Sequence, residues 1–502
     1  TASDTTKYFD TILYEGNGGG QRVGQFQPFG NAFTVAKSAL FVEANTEHFT
    51  RTPASAGSLV TWTLSTWIKR GDLGRANYFL GTNDGGKNMA AGFNASNELY
   101  WQLGTGDSWN GPNTVHMALK SNQVYEDPSQ WMHLVFKYDS TASTPSASGI
   151  AMYVNGVQVT SLQTATYPAQ NYASGWNSAN EMLIGAVYNT ETDEQNMDGY
   201  LAETVFIDGT ALTASSFGQT DTSTNRWIPK DVTGLTYGTN GFYLNYAASG
   251  SDLGDDAEGS ADWTNVNTVV QTTDSPTTNY PTLAVQAGVT LSNGNLTCVP
   301  TTTYGQAKSG LNFSSQKIFA CCLVTDGGSG ASVNTTFALA PSTYMPNTSN
   351  SPGTGTLASI QTQGTILRIR VNSGSTITHS IAVADGDYFT MAVDPTTGSV
   401  WLGVYDTSAS THQYIPAIVG GSAGDPAAGT RPTATPANTT SGHLKCITTG
   451  GYQTGSSTTL ALNVAAMPMS IPTGFVEFTQ DNLESSDQFI SAFSWIKNRD
   501  AT

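Results

Sequence analysis

From Leu59 to Ile68 apolar and polar side chains alternate, so that Val60, Trp62, Leu64 and Thr66 share one face and Trp67 takes the other. A period of two marks a strand with one face toward a core. The same pattern predicts strands at Trp131–Tyr138 and Ile150–Val154, the latter returning as Val157–Val159 through Asn155-Gly156. Asn-Gly accepts the positive φ angles of a type I′ turn, which makes this pair a hairpin. Strands are also predicted within Tyr237–Leu244, Gly294–Cys298, Lys317–Val324, Ile366–Val371, Tyr388–Val393 and Val400–Tyr405, with Asp394–Ser399 closing the last two as a hairpin.

Short strands at close intervals, punctuated by Gly, Pro, Asn and Asp, predict an all-β chain: two antiparallel β-sandwich (jelly-roll) domains with short terminal strand segments. Residues 1–32 read as an N-terminal strand and assembly segment, one strand around Tyr8–Tyr14 followed by the glycine turn Gly16–Gly20. Residues 33–225 form the first sandwich, 226–290 a connector, 291–480 the second sandwich and 481–502 a C-terminal segment. The connector ends in the proline-punctuated stretch Asp274–Pro281, and residues 421–442 read as a long exposed loop.

Composition narrows the partners. Charged residues make up 12% of the chain, glycines number 52 and the net charge is −18. Nucleic acid is excluded as a partner, because phosphate binding requires a basic footprint. No apolar run reaches the roughly 18 residues of a membrane span, so no insertion is expected. The chain opens Thr-Ala-Ser-Asp without an apolar leader stretch, as expected of a mature secreted protein or of a particle released by lysis. Cys298, Cys321, Cys322 and Cys446 lack metal-ligand spacing and read first as buried free thiols; a disulfide from Cys298 or Cys446 to one of the adjacent pair is the alternative. Cys321 and Cys322 should point to opposite faces of their strand.

Candidate chemistry is sparse. A sugar platform needs an aromatic face beside amide or carboxylate groups. Tyr100, Trp101, Asp107, Trp109 and Asn110 are the best candidates, in a glycine-rich stretch, although core packing explains Trp101 as well. Trp62, Trp67 and Trp131 lie on predicted strands and read as core. No cofactor is required; calcium is the ion the acidic loops would suit, at Asp193, Glu194 and Asp198, at Asp252, Asp255, Asp256 and Glu258, or at Asp84 with Asn83. A solvated acidic loop is the plainer reading of each. No nucleophile elbow, phosphate loop or histidine ligand pair is present. A glycoside hydrolase needs two carboxylates flanking a cleft, and the acid-rich stretch Glu191–Asp198 lacks the alternation that would hold it in a strand. An enzyme is therefore not expected.

Three segments together carry a family resemblance: Trp62–Gly71, Tyr153–Val159, and Asp198–Glu203 with Phe206–Gly209. Their order and spacing resemble the laminin-G/concanavalin-like domain of tailed-phage structural proteins, often marine ones. Trp227–Lys230, Tyr237–Leu244 and Ser275–Tyr280 continue the likeness. In the second half Asp387–Asp394 with Gly398–Val404, Gly424–Pro426 and Pro472–Phe475 is similar to a SPRY-like sandwich, with a departure around 325–365. The resemblance implies a virion-surface or extracellular protein: a tail fibre, spike or capsid-decorating component that forms homo-oligomers, joins other virion proteins and contacts host-surface glycans. A secreted bacterial carbohydrate-binding or matrix protein is the alternative, and a glycan hydrolase the third reading. Segments like Lys7–Gly18 and Trp495–Arg499 lie near each other inside longer relatives, so pairing of the two tails, within or between subunits, is a further expectation.

Overall fold

The computed structural model describes residues 33–483 apart from 84–85, 106–113, 188–195, 223–224, 326–332, 364–365, 373, 375, 453–456 and 462–466. The expected strand at 8–14 and the proposed pairing of the two tails lie outside the described residues.

Two sheets face each other in the first sandwich. One runs, by hydrogen-bonded neighbours, Val157–Gln158, Ala151–Val154, Met132–Asp139, Thr61–Arg70, Gly199–Asp208, Ser38–Phe41 and Val270–Thr272, with Phe242–Leu244 also pairing with Gly199–Asp208. The other runs Leu162–Thr166, Thr114–Val124, Glu98–Thr105, Lys87–Phe93, Asn77–Asn83, Met182–Ile184, His48–Arg51 and Thr264–Val266. Alternation sends Trp62, Leu64, Leu134, Phe136, Trp101, Leu103, Met117 and Phe79 into one core. Trp62 stacks on Tyr138 at 5.3 Å and meets Trp101 edge-on at 5.7 Å. Each such side chain, fully buried, contributes roughly 2–3 kcal/mol by area. Trp67 lies on the opposite face, as the alternation predicts, and packs with Leu40, Trp131 and Tyr200. Asn155 (φ 47°) and Gly156 (φ 81°) form the expected turn.

The outer face of the first of these sheets is covered rather than solvated. Phe217, Val232 and Tyr243 pack over Val135, Val205 and Ile207, with Trp227 at the margin. The sheet's register shifts between Ala202 and Val205, where Glu203 takes a positive φ of 50°. Such a bulge re-aims a side chain; here it turns the Glu203 carboxylate under Tyr243, whose hydroxyl donates to it at 2.5 Å.

The expected connector 226–290 is much shorter. Phe242–Leu244, Thr264–Val266 and Val270–Thr272 all pair with strands of the first sandwich, which therefore continues to Thr272. Strands of only three residues carry almost no periodic signal, and their partners lie far back in the chain.

Leu283–Ala287 opens the second sandwich. Its first sheet continues through Gln306–Ser309, Lys445–Gly450, Val333–Pro341, Ala358–Gln363, Ile366–Val371 and Ile377–His379. Its second runs Val289–Ser292, Thr297–Pro300, Thr458–Ala461, Ile318–Val324, Tyr388–Asp394, Ser399–Asp406 and Thr411–Tyr414, with Val476–Glu477 parallel to Ile318–Val324. Cys322 faces the main core and Cys321 a separate cluster with Trp401 and Phe475, the opposite-face arrangement expected. All four cysteines are buried and free. Residues 421–442 hold only isolated bridges, such as Asp425 with Thr430, yet Thr433 and Thr439 are buried, so the loop lies against the sandwich rather than projecting throughout.

The sandwiches touch directly. Tyr200 donates to the Gly294 carbonyl at 3.0 Å, Asn295 to that of Gly71 at 3.0 Å, and Thr282 to that of Pro128 at 2.9 Å.

Candidate functional site

The outer face of the second sheet of the first sandwich is the best-placed candidate surface. Pairing sets Tyr100 between Gly92 and Lys120, and Gln102 between Ala90 and Ala118. A phenol and a primary amide therefore rise among glycines and alanines, which leaves the strip beside them shallow. Tyr78 joins them, packing with Ala90, Tyr100 and Val187. The close strand approach at Gly92 depends on its lacking a side chain, since a Cβ there would stand 2.4 Å from the Tyr78 Cα. Tyr100 donates its hydroxyl proton to the Gln102 amide oxygen. Burial raises the phenol pKa of both tyrosines, which keeps them neutral donors. Lys120 stands 3.7 Å from Glu98, and His116 stacks on Tyr172 at 4.7 Å along the same strands.

Tyr100, Lys120 and Glu98 are partly exposed, whereas Gln102 and Tyr78 are buried, at 6% and 3% exposure. A half-exposed phenol beside an ion pair can hydrogen-bond sugar hydroxyls while its ring covers the apolar sugar face. Of the expected sugar-binding residues, Tyr100 lies here. Trp101 does not: it is wholly buried, packed edge-on against Phe136 at 5.4 Å, and offers no face to a ligand. The reason is the strand period, which turns Trp101 inward because its neighbours Tyr100 and Gln102 point out. Asp107, Trp109 and Asn110 lie outside the described residues. Gln102 and Tyr78, both buried, back Tyr100 from below; the outward phase of the strand Glu98–Thr105 marks the first, while Tyr78 carries no sequence signal separating it from Phe79.

The expected calcium loops are organised differently. Asp193, Glu194 and Asp84 lie outside the described residues. Asp198 is buried where the chain leaves Met182–Ile184 for Gly199–Asp208, and its backbone carbonyl accepts from Gly71 and from Asn77, both at 3.0 Å. Burial, reinforced by nearby Asp72, pushes its carboxyl up to about 7. Asp256 accepts from the backbone amides of Tyr243 (2.9 Å), Glu258 (3.1 Å) and Ala261 (3.1 Å), so both its oxygens are engaged in shaping the loop. Asp252 accepts from the Ser251 hydroxyl at 2.8 Å, and Asp255 is exposed. Among the described residues no three His, Cys, Asp or Glu side chains gather as a metal-ligand set.

Other buried acids also hold backbone. Asp208 accepts from the Ser58 amide and from Asn177 at 2.8 Å each, and from the Asn240 amide at 3.1 Å. Glu203, pushed up to about 7 by burial, is enclosed on the far sheet, away from the Tyr100 surface.

Comparison with known proteins places this geometry. Residues 44–216 match the family model described as the Concanavalin A-like lectin/glucanases superfamily, so this part of the chain is similar to a laminin-G/concanavalin-like domain. No curated protein matches the chain. Among solved structures, the heptameric SAP-like pentraxin of Limulus polyphemus is similar at 15% identity and a TM-score of 0.27, over 36% of this chain and 80% of that one. Domains LG4-5 of the mouse laminin alpha1 chain align at 8% identity and a TM-score of 0.29, over 87% of this chain and 91% of that one. The SPRY domain of human HERC1 aligns at 10% identity and a TM-score of 0.26, over 36% and 96% respectively.

Proposed function

We propose that the chain is a non-catalytic structural and adhesive protein of a phage particle surface, and that the Tyr100 face of its first sandwich contacts host-surface glycans. The observation that carries the reading is the half-exposed Tyr100, set between Gly92 and Lys120 and backed by the buried Gln102, on the domain that matches a lectin-type family. The sequence likeness to tailed-phage surface proteins supports the particle, as tail fibre, spike or capsid decoration, and a homo-oligomer joined to other virion proteins. Direct bonds between the sandwiches suit a stiff surface element. The buried carboxylates of Asp208 and Asp256 hold backbone amides rather than line the proposed glycan face, which fits presentation of a surface rather than catalysis.

A glycan array tests the adhesive part. The wild-type chain should bind at least one glycan class, and Tyr100→Ala or Lys120→Ala, at the two partly exposed positions of this face, should weaken it at least about 10-fold with little change in melting temperature. Binding that survives both substitutions, or no binding by the wild type, rejects this face. Electron microscopy of particles labelled with antibody to the chain tests the location; unlabelled surfaces would leave a secreted bacterial carbohydrate-binding or matrix protein as the better reading.

A further inference from the structure

Lys69 sits near the end of the strand Thr61–Arg70 and is 0% exposed. Its ammonium spends its three protons on Asp274 Oδ2 at 2.7 Å, Asn279 Oδ1 at 2.8 Å and the Tyr280 carbonyl at 2.6 Å. Asp274 and Asn279 are 2% and 3% exposed. Asp274 also accepts from the Trp131 indole at 2.9 Å, and Lys69 Nζ stands 5.6 Å from the centre of the Tyr200 ring. The Asn279 amide is oriented by donation from its Nδ2 to the Ser129 carbonyl at 2.9 Å, which turns Oδ1, and with it the carboxamide carbon, toward the lysine. An amine, a carboxamide and a carboxyl group are thus gathered in a buried enclosure walled by Trp131 and Tyr200.

We propose that Lys69 and Asn279 join in an intramolecular amide bond, Nζ to Cγ, with Asp274 carrying the protons and ammonia leaving. A lysine held against an acid in an apolar enclosure becomes a nucleophile by giving up its proton. Burial drives this pair that way, lowering the amine and raising the carboxyl. Proton transfer from Lys69 to Asp274 leaves a neutral amine 2.8 Å from the Oδ1 of the carboxamide it attacks, and such positioning supplies much of the rate. The Nζ–Cγ bond forms and the Cγ–Nδ2 bond breaks. Of the five protons on the two nitrogens, the new amide keeps one, ammonia takes three, and one remains on Asp274, which ends as a neutral carboxyl. Charge is zero before and after, and no oxidant or cofactor enters.

The bond would fasten the central strand of the first sandwich to the segment that leads into the second, 210 residues further along the chain. A plain buried ion pair is the competing state, and the two differ in mass. Intact mass spectrometry of the full wild-type chain should read about 17 Da below the sequence mass, one ammonia lost. A tryptic digest should yield a branched peptide joining the Lys69 and Asn279 segments, with no cleavage after Lys69. A full sequence mass, or a linear peptide ending at Lys69, overturns the proposal. So does a 17 Da loss without the branched peptide, since ring closure at Asn279 would release ammonia without a cross-link. Asp274→Asn should carry the full mass for its sequence; a branched peptide in that variant would remove Asp274 from the step. The wild-type spectrum decides the main point even where that variant fails to fold.

Discussion

Trp227 donates its indole N–H to Nδ1 of His133 at 2.9 Å. An indole can only donate, so Nδ1 is the bare nitrogen and Nε2 carries the proton, which faces the Ser65 hydroxyl at 2.7 Å. His133 also stacks on Trp67 at 4.9 Å, while Trp227 lies beside it, nearly coplanar, with ring centres 6.0 Å apart, over the outer face of the sheet.

Acid should therefore loosen the first sandwich through His133. Burial pushes it down to about 3, against 6.5 in the open chain. Between those values the unfolded chain binds a proton that the native ring refuses, so stability falls as pH drops from 6.5 toward 3. The loss is on the order of 3–5 kcal/mol. His412, pushed down to about 4 by burial, adds to it. Urea midpoints at pH 7, 5 and 4 should drop more steeply for wild type than for His133→Gln; equal slopes would clear His133.

Glu203 should act in the opposite sense. Burial raises it from 4.5 to about 7, so across that window the native chain keeps a proton the unfolded chain has released. Stability then declines as pH climbs from 4.5 to 7, and the loss is complete above. Glu203→Gln preserves an acceptor for Tyr243 and removes the charge. It should match wild type near pH 4 and exceed it by about 1–3 kcal/mol at pH 8 in denaturant titrations. Asp198, raised to about 7, predicts the same trend for Asp198→Asn.

Trp101→Ala and Tyr100→Ala should separate cleanly although the residues are adjacent. The first removes a fully buried ring between the sheets and should destabilise by about 3–5 kcal/mol. The second alters the outer face and should leave stability within about 1 kcal/mol. Calorimetry of both variants checks the assignment of inward and outward faces.

Gly156→Ala combines two penalties: a φ of 81° and a Cβ 2.4 Å from the Trp227 ring. Destabilisation of more than about 2 kcal/mol is expected, against about 1 kcal/mol for Asn155→Gly, which keeps the dihedrals and loses only the acceptor of the His133 amide at 2.8 Å. The contrast in melting temperature tests whether the turn is fixed by its dihedrals alone or also by the ring above it.

Alternation was enough to place Trp62 and Leu64 in the core and Trp67 behind it, and Asn155-Gly156 was enough to place the hairpin. Both signals are local. The strand within Tyr237–Leu244 was legible but its place in the first sandwich was not, and Val270–Thr272 escaped altogether, because three residues cannot display a period and the pairing partners are distant. Trp101 was open to misreading for a related reason: polar neighbours on one strand say that a residue is flanked by exposed positions, which is also what an inward residue shows. The gathering of Lys69, Asp274 and Asn279 left almost no mark, since 205 and 210 residues separate the lysine from its partners. The one hint was a lysine following Trp67-Ile68 inside an apolar strand.

Ser38 and Thr272 stand opposite each other in register, and Val35 is clasped by the hydroxyls of Ser275 and Thr277. The polypeptide therefore arrives at the first sandwich and departs from it along adjacent threads, about 5 Å apart. A unit attached in this way adds almost nothing to the span between its flanking segments, although Tyr200, Asn295 and Thr282 still tie it to the second sandwich.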